Sequence, residues 1–219
     1  MVDRQQRHAG NTVTTHLMPS VRRIAMQDKT DSFYTDMQRY IAVTTVGPSA
    51  LRNQGGPGVI ETAQRFLAAL DMRIFTVHDE KTYLEVLDTT TLELQQGLPR
   101  DSRNWGAARK ALNLFLRDIC YNRFLSDKYS LALLEPWMEI PLDSLVATAL
   151  KRRVGRGGLP TWPGLKGLTP SISWQFQHRA KDWADAEGIS RVHLDMRIWV
   201  EQRTSLANKT LHRKGDRGR

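Results

Sequence analysis

Cysteine is nearly absent from this chain: Cys120 is the single cysteine among 219 residues. One cysteine excludes an intrachain disulfide and a cage of several thiolates around a metal ion. The six histidines are dispersed and lack the paired spacing of a zinc site. We therefore expect a protein of a reducing compartment, the cytoplasm, that uses no metal and no cofactor.

Long hydrophobic runs are also missing. No apolar stretch approaches the ~20 residues of a membrane span, and the polar N-terminus has no signal-peptide core. The chain is nevertheless 40% hydrophobic, which is enough to bury a core. We expect no membrane partner and a single helical domain over residues 31–205 that acts as a monomer.

Acidic residues are fewer than basic ones, which gives a formal net charge of +9. Residues 1–30 hold five Lys or Arg against two Asp or Glu, and residues 201–219 hold six against two. We expect residues 1–30 to be a basic flexible arm and residues 206–219 a basic flexible tail. This distribution favours a polyanion such as DNA or RNA as the partner. The alternative is that positive charge only aids solubility.

A buried helix is predicted between Trp105 and Ile119, where apolar residues recur at helical spacing on two adjacent stripes. Its polar residues Lys110, Asn113 and Arg117 form one narrow strip, which is typical of a helix that lines a cleft. Downstream, Asp143 follows Pro141 and precedes a helical pattern, so it stands where a helix N-cap belongs. An amine and a carboxylate are thus candidates for one site.

The remaining pattern is mainly helical, with glycine-rich connections. Further helices are predicted from Asp31, over residues 59–70 and 79–87, and from Ser171 to near Gly188, and a long Gly/Pro loop over residues 154–170. The loop over residues 47–58 is either a connector or a ligand-binding loop that offers Arg52, Asn53 and Gln54. Residues 191–200 fit a strand by their period of two, whereas Asp195 and Trp199 would share one face of a helix.

Three motifs, in the same order along the chain as in the family, resemble helix-hairpin-helix DNA glycosylases, most closely the archaeal 8-oxoguanine DNA glycosylase branch. They are a hairpin with a lysine on its second helix (residues 102–116, with Lys110), an aspartate opening a helix after a proline (Ile140-Pro-Leu-Asp143), and a late His-Leu-Asp with a tryptophan four residues on (His193-Leu-Asp195 and Trp199). The resemblance covers about residues 90–205. It implies an all-α fold with two helical lobes flanking a DNA-binding cleft, and a helix after His193.

The resemblance also implies a reaction and assigns residues to it. A DNA glycosylase breaks an N-glycosidic bond, and positive charge develops on the deoxyribose. The Asp143 carboxylate would stabilise this charge, and Lys110 would attack the sugar as a nucleophile, with possible lyase activity. Trp199 and Asp195 would hold the flipped base, together with Gln54. The expected contacts to duplex DNA are Arg100, Arg103, Arg109, Arg117, Lys151 and Arg152.

Several alternatives stay open at this point. Asp143 and Asp195 would also serve as simple helix caps, Lys110 as a surface lysine and Trp199 as a core residue. A non-catalytic DNA-binding protein could use the same scaffold, and a nuclease would need a cluster of metal-binding carboxylates. The substrate of a glycosylase could be an oxidised guanine or a hypermodified base of phage DNA, in a role of repair or of phage defence.

Overall fold

The computed structural model describes the backbone of residues 18–215 and the side chains of residues 31–204. Within that part of the chain there are nine α-helices and no β-strand, so the prediction of an all-α protein is confirmed. Nor does any helix there have the length and apolar character needed to cross a membrane. The helices are α1 (Met18–Thr45), α2 (Val59–Ala69), α3 (Glu80–Gly97), α4 (Trp105–Tyr121), α5 (Arg123–Tyr129), α6 (Ser144–Val154), α7 (Gly164–Gly167), α8 (Pro170–Glu187) and α9 (Leu194–Gly215).

The buried apolar side chains fall into two clusters. The first is built mainly from α1 to α5, with Tyr83, Phe75 and Phe115 among its fully buried members. The second is built from α6 to α9 and the segment that precedes α6, with Phe176 fully buried. Helix α4 supplies much of the first cluster, and its first residue, Trp105, packs against the second. Functional groups on α4 therefore lie near the boundary between the clusters.

Helix α4 is buried along most of its length, as its apolar stripes predicted. It begins after Asn104, whose side chain accepts a hydrogen bond from the backbone N–H of Ala107 and so caps the helix. At Gly106 the helix meets α7: a Cβ there would lie 2.3 Å from the carbonyl oxygen of Leu165. Only glycine permits so close an approach. Local capping and this contact fix where Lys110, one turn later, is placed.

A buried extended segment leads from the first cluster to α6. Residues 138–142 have no regular secondary structure, and all five are buried. The side chains of Gln177 and Arg191 provide hydrogen-bond partners for backbone groups of this segment and of Trp137 before it. Gln177 donates to the carbonyl of Ile140 and accepts from its N–H, at 2.8 and 3.1 Å. Arg191 donates to the carbonyls of Trp137 and Met138, at 2.8 and 3.1 Å. Because buried backbone groups need partners, these contacts hold the segment in place, and Asp143 with it.

Several element boundaries differ from the predictions. Helix α1 begins at Met18, well before Asp31, and α3 continues to Gly97, beyond the predicted end at residue 87. The Gly/Pro loop over residues 154–170 contains the single turn α7. Residues 191–200 form a 3-10 turn and the start of α9, so the helical prediction is confirmed and the strand pattern is wrong.

The predicted basic arm and tail fall partly outside the described residues. Residues 1–17 and 216–219 are not described. The backbone of residues 18–30 belongs to α1 and that of residues 206–215 to α9. The flexibility of the arm and of the tail stays a prediction.

Candidate functional site

Lys110 and Asp143, 33 positions apart in sequence, are in direct contact. The Nζ of Lys110 lies 3.2 Å from Oδ2 of Asp143. Asp143 is the N-cap of α6: its Oδ1 accepts from the N–H groups of Leu145 and Val146, at 2.9 and 3.0 Å. One carboxylate oxygen therefore fixes the side chain, and the other faces the lysine. Lys110 is only 7% exposed, so the predicted pairing of an amine with a carboxylate occurs in a largely desolvated place.

Two turns further along α4, Arg117 joins two carboxylates. It donates to Oδ1 of Asp118 at 2.7 Å and to Oδ2 of Asp195, at the start of α9. Asp118 is held in turn by the hydroxyl of Thr45, at 2.6 Å. The guanidinium thus bridges α4 and α9, with one carboxylate on each side.

The electrostatics of Asp195 connect the two pairs. Burial raises the pKa of Asp195 above its ordinary value, and the positive charge of Arg117 opposes this rise. The negative charge of Asp143 raises the pKa further, and Lys110 lowers it. Charges act in this way over short distances in a partly desolvated site. Lys110, Asp143, Arg117 and Asp195 therefore belong to one electrostatic unit.

A cavity of about 250 Å³ opens beside this unit. It is lined by Arg117, Asp195, Met196 and Trp199. Trp199 is 47% exposed, and the guanidinium of Arg203 lies 4.5 Å from the centre of its ring. The volume is below the range of about 300–1,000 Å³ typical of sites for drug-sized ligands, which suits a smaller planar group. The cavity combines an aromatic side chain with a paired cation and carboxylate.

Arg109 is not available to a phosphate in this structure. It is 5% exposed, donates twice to the carboxylate of Glu139 at 2.8 and 3.0 Å, and also contacts Asp88 and Thr91. Asn113, predicted to line the cleft, donates to the same Glu139 at 2.9 Å and is buried. Both side chains stabilise the interior, because a buried carboxylate requires partners. We therefore correct the prediction of a DNA contact at Arg109.

Gln54 lies beside the start of α4 and not on the wall of the cavity. Its backbone carbonyl accepts from Asn104 at 3.3 Å, and its Nε2 donates to the carbonyl of Arg52 at 2.9 Å. The side chain is 9% exposed. These contacts favour the connector interpretation of residues 47–58, and a base-binding role for Gln54 stays a prediction.

The other predicted DNA contacts occupy two separate places. Arg100 and Arg103 are exposed just before α4, in the turn that joins α3 to α4. Lys151 and Arg152 lie on the last turn of α6, at the opposite end from Asp143, with Arg152 exposed and Lys151 half-buried.

Sequence reasoning missed four residues that position the site. Asp118 holds Arg117, and Glu139 holds Arg109. Gln177 holds Ile140, and Arg191 holds the segment before α6. Their partners lie from one to 54 positions away. The only signal of Glu139 was an acid inside the run Trp137-Met-Glu-Ile-Pro-Leu, where apolar neighbours indicate burial.

Comparison with protein-family models, with curated proteins and with solved structures finds no match to this chain. Among the residues whose side chains are described, no group of three or more His, Cys, Asp or Glu is arranged to hold a metal ion.

Proposed function

We propose that the chain is a DNA glycosylase that excises a modified base from duplex DNA. The observation that carries the proposal is the 3.2 Å contact between Lys110 Nζ and Asp143 Oδ2, two helical turns from Arg117, which lines a cavity with an aromatic wall. The motif resemblance had assigned these two residues to catalysis. Their proximity depends on the folded chain and not on their sequence spacing, so it supports the proposal independently of the motifs.

Asp143 would stabilise the sugar cation. When the glycosidic bond breaks, its electron pair leaves with the base and positive charge remains on the deoxyribose. Asp143 is fixed by two backbone N–H groups, so its second oxygen needs no reorganisation to face this charge. A fixed carboxylate in a partly desolvated place stabilises a cation more than one in water does.

Lys110 would be the nucleophile of a bifunctional reaction. An ammonium group must lose a proton before its nitrogen can attack. The departing base carries the electron pair of the broken bond and is an acceptor for that proton. The free amine then attacks the anomeric carbon and forms a Schiff base with the opened sugar, which leads to strand cleavage.

The cavity beside Arg117 and Asp195 would receive the flipped base. Trp199 offers a ring for stacking, and the cation and carboxylate offer a donor and an acceptor to the edge of the base. Two classes of base fit this description: an oxidised guanine, in repair, and a hypermodified base of phage DNA, in defence.

The duplex would lie along the boundary between the two clusters, with its phosphates near the exposed basic residues. Arg100, Arg103, Lys151 and Arg152 remain the proposed phosphate contacts. Arg117, which was also predicted to contact DNA, would act instead inside the cavity, where it is paired with Asp118 and Asp195.

A survey of released bases tests the proposed function. The protein is incubated with EDTA and with duplexes that contain 8-oxoguanine, other oxidised bases or glucosylated hydroxymethylcytosine, and the free bases are identified by mass spectrometry. We expect release of one modified base without magnesium. Binding without release would favour a non-catalytic DNA-binding protein, and strand cleavage that requires magnesium would favour a nuclease.

Borohydride trapping tests the role of Lys110. Reduction of the Schiff base should give a covalent protein–DNA adduct with the wild type, and Lys110→Gln should abolish both the adduct and strand nicking. Lys181→Gln, which removes a surface lysine paired with Asp185, is the matched control. Base release without any adduct in the wild type would assign the attack to water and remove the lyase half of the proposal.

A further inference from the structure

A second polar network joins the end of α4 to the turn before α9. The hydroxyl of Tyr121, the last residue of α4, is 2.9 Å from Nδ1 of His193, and the two rings stack with their centres 5.6 Å apart. The other ring nitrogen of His193, Nε2, is 2.8 Å from Oε1 of Glu135. The same oxygen accepts from the hydroxyl of Ser190 at 2.9 Å. These four side chains form one continuous set of contacts.

The network lies next to the cavity described above. Tyr121 follows Arg117 by one helical turn, and His193 precedes Asp195 by two residues. Burial raises the pKa of Tyr121 to about 12, and the charges of Arg117 and Asp195 both act on its hydroxyl. The two side chains that form the polar wall of the cavity are therefore carried by the two segments that Tyr121 and His193 connect.

The direction of the hydrogen bonds follows from Glu135. Burial by itself raises the pKa of Glu135, but hydrogen bonds from His193 and Ser190 outweigh it and hold the pKa below its ordinary value. The ionised carboxylate only accepts, so Nε2 of His193 carries a hydrogen. In a neutral imidazole Nδ1 is then an acceptor and takes the O–H of Tyr121. His193 thus links Glu135 on one side to α4 on the other.

We propose that Tyr121 and His193 are positioning residues of the cavity, which by tying the end of α4 to the turn before α9 set where Asp195 lies relative to Arg117. The pairing of Arg117 with Asp195 requires a fixed separation of two elements, and Tyr121–His193 is a direct side-chain link between them at that level. The consequence for base release rests on the proposed glycosylase function; the effect on the Arg117–Asp195 pair does not.

The first experiment follows the Nε–H signal of Arg117 by NMR, assigned with Arg117→Lys. Tyr121→Phe keeps the ring and removes the O–H. His193→Gln places an amide near the position of Nε2 and loses the hydrogen bond with Tyr121. His193→Asn places an amide near the position of Nδ1 and retains that hydrogen bond. We expect Tyr121→Phe and His193→Gln to shift the signal and to speed its hydrogen exchange about two- to tenfold, the net effect of losing one hydrogen bond.

His193→Asn and Tyr40→Phe, at an exposed tyrosine of α1, should leave the signal as in the wild type. Both histidine variants lose the imidazole, so a general loss of packing would affect them alike. Equal behaviour of His193→Asn and His193→Gln would therefore overturn the proposal, as would an unchanged Arg117 signal in Tyr121→Phe.

A second measurement separates this proposal from the proposed function. The single-turnover release rate of the modified base that the survey identifies should fall about two- to tenfold in Tyr121→Phe and stay constant in His193→Asn. No base release by the wild type would refute the glycosylase proposal, and the Arg117 signal would still decide the role of Tyr121 and His193. Base release at the wild-type rate together with an unchanged signal in Tyr121→Phe would refute the positioning role alone.

Discussion

At the scale of single residues, Glu139 connects the buried polar side of α4 to the segment that leads to Asp143. Arg109 and Asn113 both donate to its carboxylate. Burial by itself raises the pKa of Glu139, but the charges of Arg109 and Arg191 and the hydrogen bonds outweigh it and hold the pKa below its ordinary value of 4.5. An ion pair of this kind is costly to break, because either partner left alone is a buried charge.

This pair predicts how stability depends on pH. Since the pKa of Glu139 is lower in the folded state, its contribution is present above the ordinary value and is lost as pH falls through the folded value. Glu139→Gln should lower the free energy of unfolding by about 3 kcal/mol at neutral pH and should make its decrease below about pH 5 shallower. Urea denaturation across a pH series measures both effects.

Glu85→Gln is the control, because Glu85 is an exposed acid of α3 with an i,i+4 partner in Lys81. This variant should retain the wild-type slope of the free energy of unfolding against pH. A slope in Glu139→Gln equal to that of the wild type would show that Glu139 is not the acid that titrates.

The sequence predicts that Asp143 and Lys110 belong to the site but does not predict that Arg109 is buried. One physical reason explains both outcomes. The N-cap at Asp143 and the polar strip that carries Lys110 are local patterns, and both side chains reach the site. Arg109 was predicted to contact DNA from the local sequence, but its partner Glu139 is 30 positions away. Local pattern does not reveal such a partner, so the burial of Arg109 was not predictable.

At the scale of elements, the approach of α7 to α4 is what positions the part of the helix that carries Lys110. A Cβ at position 106 would lie 2.3 Å from the backbone oxygen of Leu165 and 2.9 Å from the Cβ of Leu168. Gly106→Ala should therefore force the two elements apart and lower the free energy of unfolding by about 1–3 kcal/mol. Thermal or urea unfolding measures the change.

Gly97→Ala provides the opposite expectation. A Cβ on Gly97, at the end of α3, meets no atom within 4 Å. The substitution should be neutral or should stabilise by up to about 1 kcal/mol, because alanine favours a helix. Equal effects at positions 106 and 97 would contradict the close contact between α4 and α7.

Helix α9 and the short helix α7 show what periodicity does and does not predict. Val192, Leu194, Met196, Ile198 and Val200 alternate like a strand, yet Leu194 and Ile198 are buried while Met196 and Val200 are exposed. That burial at i and i+4 is helical, so the packing of the second cluster decides between two patterns that the sequence allows. The turn α7 is only four residues long and depends on contact with α4, which no local pattern encodes.

At the scale of the whole molecule, net charge predicts a salt-dependent affinity for DNA. The exposed or half-buried pair Lys151 and Arg152 extends from the last turn of α6. Removing both charges should weaken duplex binding and reduce the slope of log affinity against log salt concentration by about two units, since each phosphate contact contributes roughly one. Fluorescence anisotropy at several salt concentrations gives the slope.

Lys81→Ala, at an exposed lysine that is not among the predicted DNA contacts, should leave the slope unchanged. An unaltered slope in the Lys151 and Arg152 double variant would remove that patch from the proposed DNA contacts. It would not affect the assignment of Lys110 or Asp143.

The arrangement of two apolar clusters gives the central claim its structural setting. Lys110 comes from α4, which is largely part of the first cluster, and Asp143 caps α6, which belongs to the second. Substrate that binds at the boundary between the clusters would meet the amine and the carboxylate side by side. We propose that this pair breaks a glycosidic bond and that the reaction cannot proceed without the Asp143 carboxylate.

Single-turnover base release by Asp143→Asn tests that claim most directly. Asparagine keeps an oxygen for the N-cap and loses the charge, so base release should slow on the order of a thousandfold while duplex binding is retained. Asp79→Asn is the matched control, because Asp79 caps α3 in the same way and should tolerate the change. Base release by Asp143→Asn at the rate of the wild type would contradict the account.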